Sequence, residues 1–279
     1  MSQPSSIGIL GLGIIGSRVA ENLRQAGHSV HVWSHTARDV PGAQPSPRAV
    51  AGAAKVIQIF VRDSEALLKT IRDMQPALTP DHVIINHATV SKAATLEAAA
   101  LCTESGAGFL DAPFTGSKMA AQNAKLVYYI GGSSEVLERV RPILEVSSTK
   151  ILPLGEIGDA MVLKIVTNLV TAITVKALAE AAAITQSQGI PLPHLLTALE
   201  NNANYSGLIG MKLPSIIKDD FEAHFSLRNM LKDADFARAL AAEGGLPTPA
   251  LDCTAEAMRT GVSHGQGDLD FSVIGKIAS

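Results

Sequence analysis

Residues 7–33 read IGILGLGIIGSRVAENLRQAGHSVHVW: a short apolar run, glycines at 11, 13 and 16, a helical pattern, and a second β-branched run. Few stretches restrict a fold so tightly. Gly11 permits a sharp turn out of a strand, Gly13 lets a pyrophosphate approach the backbone, and Gly16 lets helix and strand pack closely. The helix start would offer unpaired N–H groups and a positive dipole end to the phosphates. Leu12, Ile14 and Ile15 lie in the same turn and belong to the same candidate cofactor site. Strand, turn, helix and second strand together predict a dinucleotide-binding βαβ unit.

That unit continues. Strands are expected near 7–10, 30–33, 56–61, 83–86, 109–111, 126–130 and 151–154, with helices near 13–26, 64–74, 92–105 and 134–144. Such alternation predicts a mainly parallel, doubly wound sheet of Rossmann type with helices on both faces. PGAQPSPRAV (41–50) is too rich in Pro and Gly for a regular element and is expected to be a loop. The second strand should end at the ribose. VWSHTAR offers Ser34, His35, Thr36 and Arg38, with no carboxylate before Asp39. A carboxylate there would bind a ribose 2′-OH and repel a 2′-phosphate, whereas hydroxyls, imidazole and guanidinium can bind one, so NADP is favoured over NAD.

Past Gly155 the pattern changes to helices alone: a long one to about 188, stopped by Gly189 and Pro191, then 193–203, 206–217, 226–243 and 248–261. The expected organisation is an NADP-binding domain over 1–155 and an all-helical substrate and dimerisation domain over 156–279, joined by the long helix. On that helix, GDAMVLKIVTNLV sets Lys164 and Asn168 four residues apart, on one face. A buried ammonium is costly unless it is paired or used. Either Lys164 snorkels to water or a site is built around it.

Composition narrows the class. A net charge of −3 gives no basic excess, so no nucleic-acid partner is expected. Two cysteines suit a reducing compartment, and Lys164, Lys176 and Glu180 argue against a membrane span in the apolar helix. The opening shows no secretion signal, so a cytoplasmic protein is the expectation. The histidines have no metal-ligand spacing, and no metal site is expected.

Four blocks in order carry a resemblance: residues 8–33, DAPFTGSKMAAQNAKLVYYIGG (111–132), GEIGDAMVLKIVTNLV (155–170) and FSLRNMLKDADFA (225–237). Together they resemble the β-hydroxyacid dehydrogenases, a family that includes 3-hydroxyisobutyrate dehydrogenases and glyoxylate/succinic semialdehyde reductases. The resemblance runs nearly the full length, to the ending GDLDFS. It implies that Lys164 is the acid/base serving the carbonyl oxygen, with Asn168 binding that oxygen or orienting the lysine. Desolvation would lower the lysine's pKa toward the working range. The resemblance also implies that Thr115, Gly116 and Ser117 bind the substrate carboxylate. By the same resemblance Lys232 reaches cofactor or substrate with Asp233 behind it, and Phe60, Val61 and Thr89 contact the cofactor.

Departures from the family pattern lie in the second block, where Thr115, Ser117, Ala120 and Ala124 replace its usual residues and Lys118 adds charge. In NHATVS, His87 stands where a small hydroxyl residue is common. It is either close to the nicotinamide or a loop histidine with its bonds satisfied. The reaction implied is NADPH-dependent reduction of a small semialdehyde or oxo acid, reversible as a hydroxyacid dehydrogenase. The alternatives are an imine reductase of the same architecture, against which Lys164 counts, and a non-catalytic NADP-binding scaffold. The helix from Ala160 to Gln188 is apolar nearly all round and is expected to be covered by a second copy, in a homodimer or higher homo-oligomer.

Overall fold

The computed structural model describes residues 5–36 and 39–277. Eight strands form one sheet: β1 (Ser6–Leu10), β2 (Ser29–Trp33), β3 (Val56–Ile59), β4 (Val83–Asn86), β5 (Gly108–Asp111), β6 (Phe114–Thr115), β7 (Leu126–Gly131) and β8 (Ser148–Gly155). Their order is β2-β1-β3-β4-β5-β7-β6, with β8 on β7. β1 to β5 pair in parallel, β7 runs antiparallel to β5 and β6, and β8 is parallel to β7. Strands such as Val83–Asn86 are buried at every position, as a sheet covered on both faces requires. The order reverses between β1 and β3, and open α/β sheets bind their ligands at the carboxyl ends of strands beside such a reversal.

The helices of this first part are α1 (Gly16–Gln25), α2 (Pro47–Ala53), α3 (Ser64–Met74), α4 (Lys92–Thr103), α5 (Lys118–Gln122) and α6 (Ser134–Glu145). α1 buries Gly16, Val19, Ala20 and Leu23, one helical stripe against the sheet. It starts three residues later than the sequence pattern suggests, because 13–15 form the turn itself. The stretch expected to be a loop is helical from Pro47: Ser46 accepts the Ala49 N–H and Pro47 sits at the first helical position, where its missing N–H costs nothing. Before it, Ala43 bridges to Val32 beside β2.

The remaining helices are α7 (Asp159–Ser187), α8 (Leu192–Glu200), α9 (Gly207–Lys218), α10 (Leu227–Glu243), α11 (Pro249–Ser263) and α12 (Ile274–Ile277). The chain divides into two compact units, Met1–Lys164 and Ile165–Ser279, with the division inside α7. The second unit has its own core, in which Ala172, Val175 and Ala179 of α7 meet Leu227, Met230, Met258 and Phe271. It is closed by a buried ion pair. Lys212 donates to both Asp270 oxygens at 2.7 and 2.9 Å, and Asp270 also accepts from the N–H groups of His224, Phe225 and Ser272 and from the Ser272 hydroxyl. α7 buries a stripe through Ile165, Asn168, Ala172 and Val175, while Leu163, Val166, Val170 and Ile184 stand 40%, 43%, 58% and 65% exposed.

Candidate active site

Four strand ends at one edge of the first unit carry most of the expected residues. After β1, Gly11 has φ +99°, and a Cβ there would come within 2.2 Å of the Phe60 carbonyl oxygen. At Gly16 a Cβ would lie 2.0 Å from the Gly11 carbonyl oxygen and 3.1 Å from Phe60 Cβ, whereas one at Gly13 would meet nothing within 4 Å. Two glycines are therefore required by close packing, and the third by nothing among the described residues. Open backbone at Gly13 beside the start of α1 fits a cradle for a phosphate. Leu12 is buried, whereas Ile14 is 49% exposed. Phe60 follows β3, where its N–H donates to the Leu10 carbonyl, so the turn and the end of β3 are fixed to each other.

Beyond β2, Ser34 and His35 join Leu12, Trp33, Val40, Gln44 and Pro45 around a cavity of about 350 Å³. None of the described residues lining it is a carboxylate. Thr36 is exposed and not part of the lining, and Arg38 lies outside the described residues. Gln44 and Pro45 line the cavity from the stretch expected to be a loop. The pairing of its backbone with Val32 places them there, a signal that the Pro and Gly content concealed.

The segment after β5 holds Thr115, the last residue of β6, and Gly116, both exposed, and Ser117, half-buried at the start of the short α5. Gly116 has φ +134°, and a Cβ there would lie 2.9 Å from Leu126 Cδ2 and 3.0 Å from Ala120 Cβ. Ala124 is a non-glycine residue at φ 54°, in the left-handed region. The root of this loop, Asp111, is fully buried. Its Oδ2 accepts the N–H groups of Gly158 and Met161 at 3.2 and 2.9 Å, at the N-terminus of α7. Its Oδ1 has no partner, and burial pushes the carboxyl up to about 7 against those two N–H donors. Asp111 is not among the candidate residues drawn from the sequence, although its place at the head of DAPFTG marks it.

Lys164 is half-buried on α7, and Asn168, one turn on, is 8% exposed. Asn168 Nδ2 donates to Asp233 Oδ2 at 2.6 Å, and Lys232 Nζ donates to Asp233 Oδ1 at 2.8 Å. Asp233 is fully buried. One carboxylate thus fixes the amide of Asn168 and the ammonium of Lys232, which also lies 4.9 Å from the centre of the Phe236 ring. The roles assigned to Thr89 and Val61 rest on position alone, at the ends of β4 and β3. His87 is buried with both ring nitrogens in hydrogen-bond contact, to Ala112 O and to Gln58. It is a satisfied histidine inside the sheet edge.

Known proteins resemble this chain over nearly its whole length. The sequence profile of the NAD binding domain of 6-phosphogluconate dehydrogenase matches residues 6–158, and that of the NAD-binding domain of NADP-dependent 3-hydroxyisobutyrate dehydrogenase matches 158–277. The chain is 28% identical to the glyoxylate/succinic semialdehyde reductase 2 of Arabidopsis thaliana, over 96% of this chain and 78% of that one. Among solved structures, the 3-hydroxyisobutyrate dehydrogenase of Mycobacterium tuberculosis with L-serine superposes with a TM-score of 0.90 at 26% identity, covering 99% of both chains. An imine reductase from Myxococcus stipitatus shares the fold at a TM-score of 0.67 and 20% identity, over 99% of this chain and 100% of its own.

Proposed function

Because the chain belongs to the β-hydroxyacid dehydrogenases, and so is an NAD(P)-dependent oxidoreductase acting on CH–OH groups, we propose that it is an NADPH-dependent reductase of a small semialdehyde or oxo acid, running in reverse as a 3- or 4-hydroxyacid dehydrogenase. The observation that carries the reading is the anchored set on and beside α7: Lys164, with Asn168 held one turn away by buried Asp233.

The cofactor would be held by the turn Gly11–Gly16 with Leu12, Ile14 and Ile15, by Ser34, His35, Thr36 and Arg38 at the ribose, and by Phe60, Val61, Thr89 and Lys232. Bound there, nicotinamide supplies or accepts the hydride. Lys164 donates a proton to the carbonyl oxygen as negative charge develops on it and takes the proton back in the reverse direction. Asn168 orients that oxygen or the ammonium. Its amide is held by Asp233, so little ordering remains to be done at the moment of reaction. Thr115, Gly116 and Ser117 receive the substrate carboxylate through backbone N–H and hydroxyl groups. The NADP preference is supported by the carboxylate-free lining beyond β2, where a 2′-phosphate meets Ser34 and His35 without repulsion.

The protein is further proposed to be a soluble cytoplasmic homodimer or higher homo-oligomer. The exposed Leu163, Val166, Val170 and Ile184 on α7, and an α8 with no buried residue, leave an apolar face that a second copy would cover.

Initial rates with NADPH and NADH, against glyoxylate and succinic, methylmalonate and tartronate semialdehydes, test the reading. We expect at least one acid to be reduced, with kcat/KM for NADPH about tenfold or more above that for NADH, the effect of one good charge-assisted contact. Reduction of none of them, or equal use of NADH, contradicts it.

A further inference from the structure

His87 is buried among groups that belong to two different parts of the candidate site. Its Nδ1 lies 2.7 Å from the carbonyl oxygen of Ala112, the residue joining Asp111 to the Pro113–Ser117 loop. Its ring lies on Phe60, with centroids 4.5 Å apart and planes at 17°. Phe60 is the residue whose carbonyl and Cβ back Gly11 and Gly16. The ring of Tyr128 in β7 lies tilted against it as well, with centroids 4.7 Å apart. Just beyond, Asn86 clasps both backbone groups of Ala88, fixing the turn that carries His87.

The protonation pattern is set by chemistry. Burial pushes the imidazolium down to about 3, against the help of the Ala112 carbonyl, so the ring is neutral and carries one N–H. The carbonyl of Ala112 can only accept, which puts the proton on Nδ1. Nε2 must then accept. It lies 2.9 Å from the Gln58 side-chain amide, through the atom assigned as Oε1, while Gln58 Nε2 has no partner. Turning that amide by 180° supplies the donor Nε2 needs and leaves only a carbonyl oxygen unpaired. The Ala112 carbonyl therefore fixes the tautomer, and the Gln58 amide, turned to donate, satisfies the nitrogen left without a proton.

We propose that His87 is a positioning residue that ties the root of the substrate loop, through Ala112, to the Phe60 wall behind the cofactor turn. The assignment of those two segments rests on the reductase reading above; the physical link between them does not. Two contacts of one ring do the two jobs: the Nδ1–H bond holds Ala112, and the π-face holds Phe60.

Two substitutions separate the jobs. His87→Phe keeps a ring against Phe60 and loses the donor to Ala112. His87→Asn keeps an N–H near the Nδ1 position and loses the ring. Each variant, with the wild type, would be measured by thermal unfolding, by hydrogen exchange of backbone amides, by fluorescence titration with NADPH, and by KM for the best oxo acid. His87→Phe should speed exchange over residues 112–117 and raise the oxo-acid KM about two- to tenfold, the worth of one hydrogen bond, with NADPH affinity changed less than about twofold. His87→Asn should do the converse, speeding exchange over residues 11–16 and 60–61 and weakening NADPH by about two- to tenfold, the worth of an aromatic pair.

The proposal is overturned if both variants change both segments alike along with α3 and α6, in step with a lower Tm, or if neither segment responds. A wild type that binds NADPH but reduces no oxo acid defeats the reductase reading alone; the exchange pattern and NADPH titration still decide for or against the link.

Discussion

The two units of the chain bury charge in opposite ways. In the second, each buried carboxylate meets a full positive charge: Asp233 meets Lys232, and Asp270 meets Lys212. Burial raises the Asp270 pKa, but Lys212 and the Ser272 groups outweigh it and hold the carboxyl below its usual range. In the first unit, Asp111 has only two backbone N–H groups at a helix start, and His87 has only neutral partners. One is pushed up to about 7 and the other down to about 3. The lesson concerns function. The edge proposed to receive a polyanionic cofactor is braced with dipoles and neutral rings, leaving ligand charge to be met by N–H groups and hydroxyls, while the helical unit braces itself with paired ions.

The largest effect on stability is expected where the pairing is complete. Lys212→Met leaves Asp270 buried without its cation and should cost about 3–5 kcal/mol in urea unfolding. A loss below about 1 kcal/mol would remove the contrast between the units.

The next test is the pH dependence of the first unit. A carboxyl whose folded value lies above its unfolded one holds its proton longer in the native state. Stability from Asp111 therefore falls as pH rises from 3.8 to about 7. His87 acts with the opposite sign. Its folded value lies below 6.5, the native state binds fewer protons, and stability rises with pH from about 3 to 6.5. In the wild type the two slopes oppose each other across most of that range. Asp111→Asn should match the wild type near pH 4 and exceed it at pH 8 by a few kcal/mol, leaving the rising limb of His87 exposed. Parallel stability curves for the two proteins would refute the assignment to Asp111.

The smallest effect concerns Ala124, at φ 54° in the loop expected to hold substrate. A side chain in the left-handed region costs about 1 kcal/mol that glycine avoids. Ala124→Gly should therefore raise stability by roughly 0.5–1 kcal/mol in the same unfolding assay. A loss of stability would show that the alanine methyl contributes more by packing than the backbone loses.

Much of this was legible in the sequence, for identifiable reasons. The glycine turn could be read because a Cβ at 11 or 16 would come within 2.2 or 2.0 Å of a backbone oxygen, and forced glycines leave a fixed spacing. The pairing of Lys164 with Asn168 followed from helical periodicity. What stayed hidden depends on the third dimension. The two-residue β6 and the short α5 have too few residues to show a period. Nothing local reveals that Asp111 meets N–H groups 47 and 50 residues away. His87 could be noticed as an unusual residue, but its bond to Ala112 and its stacking on Phe60 exist only once β3, β4 and β5 lie side by side.

The most direct test is Lys164→Ala, with NADPH affinity by fluorescence titration and turnover of the best oxo acid measured on the same preparation. The account predicts NADPH binding within about twofold of wild type and a fall in kcat of about 10²- to 10⁴-fold, the usual contribution of a positioned acid/base. Turnover within about tenfold of wild type would mean that Lys164 is not the proton donor and that the chemistry assigned to α7 is wrong.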